Sequence, residues 1–122
     1  MKKKLASLRA YLQKLFCCQI PTRYLSRVYF PHPIGIVIGS QVRIGSHVTI
    51  YQNVTIGRRR QDVADPNDYP ILSDYATVYA GAVIVGGITI GHHSIIGANA
   101  VISRDVPPYS IACGYNQIKP IR

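Results

Sequence analysis

The sequence predicts an all-β protein folded as a parallel β-helix of six-residue repeats. Two series of aliphatic residues recur at every sixth position and carry this prediction. The first series is Ile38, Ile44, Ile50 and Ile56, and the second is Leu72, Val78, Ile84, Ile90, Ile96 and Ile102. Neither helical spacing of three and four nor strand alternation of two explains a strict period of six. Each hexapeptide is therefore expected to make one short strand and one corner, with three of them completing a coil.

The residues around each period-six position fit a narrow prism. The residue two positions earlier is small or aliphatic in each repeat, from Ile36 to Ala100. The residue that follows is often glycine, and there we expect a tight turn that needs positive φ. These glycines are Gly39, Gly45, Gly57, Gly91 and Gly97. A stack of about three and a half coils encloses little volume and leaves its outer faces uncovered, so we expect a homo-oligomer.

Residues 1–30 precede the repeats and are predicted to form a basic segment with a short helix. Apolar residues at 5, 8, 12, 15 and 16 have helical spacing, and the helix is expected to end before Pro21. The helix either packs on the prism or presents a basic amphipathic face in weak contact with an anionic membrane. Arg9 and Lys14 interrupt the apolar run, so we expect no signal peptide. The sequence has no stretch of eighteen or more apolar residues, so we expect no transmembrane helix.

Residues 58–69 interrupt the repeats between Ile56 and Leu72. The segment is polar, begins with three arginines and contains proline and Asx turn formers. It is either a surface loop with a solvated run of charge or part of a functional site.

Charge and cysteine content narrow the expected partners and location. Residues 1–60 hold eleven of the fourteen basic residues and no acidic residue, which favours attraction to an anionic group. No zinc finger, RNA-binding signature or helix-turn-helix is present, so we expect no nucleic acid partner. Cys17, Cys18 and Cys113 match no disulfide framework and predict reduced thiols in the cytoplasm. We further expect the protein to contact the inner face of the membrane.

The repeats over residues 31–118 closely resemble those of the hexapeptide-repeat acyltransferases, and residues 119–122 form a C-terminal tail. The segment from His32 to Gly39, His-Pro-Ile-Gly-Ile-Val-Ile-Gly, is similar to a His-Ala-Thr-Gly-Ile-Val-Ile-Gly signature. That signature is typical of serine acetyltransferases and related sugar O-acetyltransferases. The resemblance implies a left-handed β-helix, a homotrimer with active sites between subunits, and acetyl transfer from acetyl-CoA to a hydroxyl.

The same signature implies that His32 is the catalytic base. A hydroxyl is a poor nucleophile until a base accepts its proton during attack on the thioester, and imidazole is a suitable base near neutral pH. His32 also lies six residues before Ile38, where an aliphatic residue would pack better, and such an exception favours a functional role. The alternative is an exposed residue that caps the prism.

The donor side is implied by residues 96–108, whose Val-Pro-Pro exit is similar to the last coil of the family. By that resemblance, three small residues line the pantetheine arm of acetyl-CoA and basic residues contact its phosphates. The candidates are Ala80, Ala98 and Ser103 for the arm, and Arg104 with Lys119 or Arg122 for the phosphates. Plain corner packing is the alternative for Ala80 and Ala98.

The acceptor side departs from the serine acetyltransferase pattern. Pro31 stands where that family has an aspartate, and Asp68-Tyr69 stands where it has an Arg-His pair. We therefore expect a sugar hydroxyl of a surface polysaccharide or its precursor. Serine is one alternative, and a catalytically inactive assembly or binding module is another. The candidate acceptor-binding residues are Asn53, Arg58, Arg59, Arg60 and Tyr69.

The remaining histidines are expected at repeat corners. His47, His92 and His93 lack the spacing of the zinc-binding prism carbonic anhydrases, so no metal is expected.

Overall fold

The computed structural model of the protein describes residues 8, 11–12, 14–62 and 64–121. Residues 8, 11–12 and 14–15 are helical, and short 3₁₀ helices span Thr22–Tyr24 and Pro66–Asp68. The strands of the described residues are β1 (Val37–Ile38), β2 (Arg43–Ile44), β3 (Thr49–Ile50), β4 (Thr55–Gly57), β5 (Ile71–Leu72), β6 (Thr77–Val78), β7 (Val83–Val85), β8 (Thr89–Ile90), β9 (Ile95–Ile96), β10 (Val101–Ile102), β11 (Ser110–Cys113) and β12 (Gln117–Pro120).

The strands form the three faces of a prism. Sheet A has the order β1-β4-β7-β10, sheet C has β2-β5-β8, and sheet B has β12-β11-β9-β6-β3. All pairings are parallel except the closing β11–β12 hairpin. Ile38 pairs with Ile56, three hexapeptides later along the chain. This register confirms the predicted all-β fold and its coil of three repeats.

Both predicted series of repeat positions face the core. The ten period-six aliphatic residues are all buried, with at most 6% of their surface exposed. The residues two positions earlier are buried as well, from Ile36 to Ala100. The side chains of successive coils stack in columns, and this packing holds the very short strands together.

Ser94 is the polar member of these buried positions. It is fully buried, and its hydroxyl donates to Pro107 O at 2.6 Å and accepts from Ser110 N at 3.1 Å. The side chain thereby fixes the turn that leads into the last coil.

We expect Ser94→Ala to lower the free energy of unfolding by about 1–3 kcal/mol, because the part-buried Pro107 carbonyl and the buried Ser110 amide would lose their partner. Urea unfolding followed by circular dichroism measures this change. Ser40→Ala, on an exposed corner, is the control, and equal effects of both changes would contradict the assigned role.

The prediction of positive φ at the glycines that follow the period-six positions is wrong. The left-handed residues lie two positions further on, and they include His47, Asn53 and Asn99. Gly91 is required for a different reason, since a side chain there would collide with the backbone of Pro107 and Pro108. Close approach of the neighbouring coil selects this glycine, not the conformation of a turn.

Residues 19–29 close the open end of the prism before the first predicted repeat. Gln19 and Tyr29 form parallel bridges to Val37 and Thr49, and Ile20, Tyr24 and Val28 are buried on the end of the core. The Tyr24 hydroxyl donates to Val42 O. This end cap shields Ile38 and Ile50 from solvent.

The described helical residues near the N-terminus leave apolar side chains uncovered. Leu8, Tyr11, Leu12 and Leu15 are exposed by 41–64%, whereas Leu5 and Arg9 lie outside the described residues. In the described part of the chain, no helix has the length and apolar character needed to cross a membrane.

Three corners connect the sheets and position the candidate functional residues. The His32 corner leads from sheet B to sheet A and comprises residues 31–36, 51–54, 79–82 and 97–100. The loop corner leads from sheet A to sheet C and comprises residues 39–42, 58–70, 86–88 and 103–105. The aromatic corner leads from sheet C to sheet B and comprises residues 45–48, 73–76, 91–94 and 107–109.

Candidate active site

His32 projects from its corner because the chain has two extra residues there. Thr49 and Gln52 of the next coil are the counterparts of Tyr29 and Ile34. Ile34 comes five positions after Tyr29, whereas Gln52 comes only three positions after Thr49. The inward position expected for His32 is taken by Phe30, which packs against the core. The sequence-based placement of His32 in an inward repeat position is therefore wrong, since its side chain is exposed.

The backbone next to His32 is held by the N-terminal segment and by the coil below. Gly35 donates to Phe16 O at 3.1 Å, and the Cys18 thiol donates to Pro33 O at 3.1 Å. Gly35 has a φ of +65°, and any side chain there would collide with Asn53. The predicted acceptor-binding residue Asn53 therefore lies directly beneath the segment that carries His32.

Two tyrosines extend the His32 corner along the prism. The rings of Tyr51 and Tyr79 stack at 5.0 Å with an interplanar angle of 16°. The His32 ring lies 6.3 Å from that of Tyr51, tilted by 44°. Gln52, next to Tyr51, has a buried side-chain oxygen without a hydrogen-bond partner in the described residues.

The donor-binding candidates among the described residues occupy three different places. Ala80 and Ala98 lie in one column of the His32 corner, where Asn99 N donates to Ala80 O at 2.8 Å. Their small side chains leave the backbone open to a thin ligand such as a pantetheine arm, which fits the predicted role. Lys119 is exposed on β12, at the edge of sheet B, and Arg122 lies outside the described residues.

Ser103 and Arg104 lie instead at the loop corner. The Ser103 amide already donates to Asn116 Oδ1 at 2.7 Å, and its hydroxyl accepts from Asn116 Nδ2 at 2.9 Å. Arg104 is exposed beside it. The Ser103 amide is therefore committed to the C-terminal turn.

The arginines of the loop have different partners. Arg59 donates to Ser103 O at 3.0 Å, and Arg58 donates to Gln61 Oε1 at 3.2 Å. Arg60 forms an exposed salt bridge of 2.8 Å with Asp62, and this hydrogen bond lowers the pKa of Asp62. Because both groups are solvated, the bridge adds little stability.

Tyr69 ends the loop as part of its packing. Its ring lies over Gly39, where a methyl group would meet it at 2.6 Å, and it packs against the core. Asp68 accepts from Arg60 N at 2.9 Å through its carboxylate. The two residues that depart from the Arg-His pattern thus hold the loop in this chain.

The His32 corner and the loop corner lie at opposite edges of sheet A. At a rise of roughly 3.3 Å per residue, residues 36 and 39 at these two edges are about 10 Å apart. A groove of about 300 Å³ crosses the outer face of sheet A, and its lining includes Val37, Thr55, Arg58 and Tyr69.

The aromatic corner carries a separate ladder of rings. His47, Tyr75, His93 and Tyr109 stack in order at 4.7–4.8 Å, and each has positive φ. His92 Nδ1 lies 3.0 Å from His93 Nδ1. Among the described residues, no three His, Cys, Asp or Glu side chains group in a way that could hold a metal ion.

The sequence reasoning missed Tyr51, Gln52, Tyr79 and the aromatic ladder. Tyr51 and Tyr79 directly follow the period-six residues Ile50 and Val78, where other repeats have glycine. The ladder residues share the third position after the inward residue of their repeats, which was the available signal.

Comparisons with known proteins agree with the fold and the repeat. The bacterial transferase hexapeptide profile (six repeats) matches residues 69–104. A serine acetyltransferase of Staphylococcus xylosus is 41% identical over 88 residues, which are 72% of this chain and 40% of that protein. The chain thus spans about two fifths of the length of that curated relative.

Solved structures show the same likeness. The serine acetyltransferase of Neisseria gonorrhoeae aligns with a TM-score of 0.69 at 30% identity, covering 78% of this chain and 36% of the other. A serine acetyltransferase in complex with CoA aligns with a TM-score of 0.69 at 29% identity, covering 97% of this chain and 50% of the other. The predicted left-handed parallel β-helix of hexapeptide repeats, similar to serine acetyltransferases, is confirmed.

Proposed function

We propose, from a hexapeptide-repeat β-helix similar to serine acetyltransferases, that this chain is an acetyl-CoA-dependent O-acetyltransferase. The observation that carries the proposal is His32, which stands exposed on a two-residue insertion in an otherwise regular coil. A regular prism has no packing need for this insertion, and it presents an imidazole to the surface beside the Ala80–Ala98 column.

In the proposed reaction, the acceptor hydroxyl attacks the thioester carbonyl of acetyl-CoA while His32 accepts its proton. The new C–O bond forms, the C–S bond breaks, and the proton passes from His32 to the departing CoA thiolate. Ala80 and Ala98 would lie against the pantetheine arm, and the exposed Arg104 and Lys119 are the candidate phosphate contacts.

Two acceptors have support of different kinds. The comparisons favour serine, because the similar proteins are serine acetyltransferases. A sugar hydroxyl is the second candidate. It is favoured by Pro31 and by Tyr69, because Tyr69 stands where a second histidine would be expected and its ring packs on Gly39.

Release of CoA thiol from acetyl-CoA, measured with L-serine and with a panel of sugars, tests the function. We expect release with at least one acceptor and a higher melting temperature when acetyl-CoA is added. Failure of both readouts would overturn the enzymatic proposal in favour of an inactive assembly module.

We propose a homotrimer as the active form. The proposal is supported by the position of the loop and of His32 at opposite edges of sheet A, because a second copy could bring its loop corner to the His32 corner of the first. Light scattering should give about three times the 13.5 kDa of one chain. A mass of one chain, with full activity, would contradict the proposal.

We also propose weak contact of the N-terminal segment with an anionic membrane. Exposed Leu8, Tyr11 and Leu15 support it, together with the eleven basic and no acidic residues of positions 1–60. The fraction of the protein that sediments with phosphatidylglycerol vesicles should fall as the salt concentration is raised. Equal sedimentation with neutral phosphatidylcholine vesicles would contradict a charge-dependent contact. The cytoplasmic location stays a prediction.

A further inference from the structure

The His32 corner combines an aromatic wall with neutral polar groups. Tyr51 and Tyr79 stack at 5.0 Å, and the strand register places Gly97 at the position of the next coil that corresponds to Tyr79. Since glycine has no side chain, the stack ends there, and Tyr79 is 40% exposed. The wall therefore begins beside His32 and ends in an accessible tyrosine.

This corner contains no charged side chain in any of its four segments, all of which are described. Residues 31–36, 51–54, 79–82 and 97–100 include no Asp, Glu, Lys or Arg. An amino-acid acceptor carries an ammonium and a carboxylate, and each needs an opposite charge or several hydrogen bonds when it leaves water. The four described segments of this corner offer neither charge.

Gln52 adds an unpaired acceptor to the same corner. Its side-chain oxygen is buried without a hydrogen-bond partner, and an unsatisfied buried acceptor is costly. Ala80 and Ala98 follow Gln52 in the same column of the corner, and both have small side chains. A ligand hydroxyl or N–H group is the kind of donor that would satisfy this oxygen.

We propose that Tyr51, Tyr79 and Gln52 form an acceptor subsite for a neutral sugar ring. A pyranose has apolar C–H faces that pack on aromatic rings, and hydroxyls that donate to an amide oxygen and to tyrosine oxygens. Tyr79 lies one ring further from His32 than Tyr51 does. A sugar held at Tyr79 would therefore neighbour the unit that is acetylated, which favours an oligosaccharide over a free monosaccharide.

This inference rests on the proposed acetyl transfer and selects between its two acceptors. The test measures CoA release with neutral trisaccharides of glucose, galactose, mannose and N-acetylglucosamine, and with L-serine. For Tyr79→Ala, the KM for the active trisaccharide should rise about tenfold or more, because the stacking surface is lost. The KM for acetyl-CoA should stay unchanged, and Tyr79→Phe should keep most of the affinity.

Tyr75→Ala is the matched control, because Tyr75 is also an exposed and stacked tyrosine but lies at the aromatic corner. Saturation-transfer NMR with the same trisaccharides measures binding without catalysis, and the signals should weaken in Tyr79→Ala and in Gln52→Leu. An acetyl-CoA KM that rises in Tyr79→Ala while the acceptor KM does not would assign the wall to the donor and overturn the inference. Activity with serine alone would also overturn it and leave the acetyl-transfer proposal standing. No CoA release with any acceptor, together with no rise in melting temperature on addition of acetyl-CoA, would defeat both.

Discussion

His32→Ala is expected to lower the rate of acetyl transfer by about 10²–10⁴-fold, the usual contribution of a general base. The acceptor hydroxyl would then have to lose its proton to water during the attack. His32 is exposed and lies outside the core, so the melting temperature should change little. Steady-state release of CoA thiol, measured at saturating acetyl-CoA, gives the rate.

His47→Ala is the control for this prediction. His47 is also exposed at a corner, but it stacks on Tyr75 at the aromatic corner, away from the proposed site. Its activity should match that of the unmodified protein. An unchanged rate in His32→Ala would remove His32 from the mechanism, and equal losses in both variants would indicate a general effect on folding.

Ile102→Ala is expected to lower the free energy of unfolding by about 2–5 kcal/mol. Ile102 is fully buried in β10, where it stacks on Ile84 of the coil above. Removing the larger side chain leaves a cavity that a prism of stacked coils has little freedom to close. Urea unfolding at a fixed protein concentration measures the loss, since association would make stability concentration-dependent.

The neighbouring residue provides a matched control on the same strand. Val101 points outward from β10 and is 37% exposed, so Val101→Ala should change the free energy of unfolding by about 0.5 kcal/mol or less. Comparable losses in the two variants, at the same oligomeric state, would contradict the assignment of inward and outward faces.

The candidate site could be predicted in part from the sequence. The signature around His32 predicts that residue as the base, and the family resemblance of the last coil predicts Ala80 and Ala98, which share one column of the His32 corner. Sequence spacing alone, however, placed His32 in the core, because the two extra residues before Ile34 are visible only once Tyr29 is paired with Thr49. The sequence also predicts that Arg58–Arg60 bind the acceptor near His32. In one prism, however, these arginines lie at the loop corner and His32 lies at a different corner.

The inward pattern of the β-helix was determined by the sequence itself. A buried aliphatic residue at every sixth position is a local property, because each coil repeats the same three corners and buries the same positions. The period-six aliphatic residues from Ile38 to Ile102 could therefore be assigned to the core from the sequence.

Only the tertiary structure decided which residues share a corner and what they present there. Insertions shift the count between coils, so the neighbours Tyr51, Tyr79 and Gly97 are separated by unequal distances along the chain. The coil stacked against a glycine decides whether a side chain would collide there, as Gly91 and Gly35 show. The exposed His32 and its neutral aromatic wall follow from this stacking register, which no single hexapeptide contains.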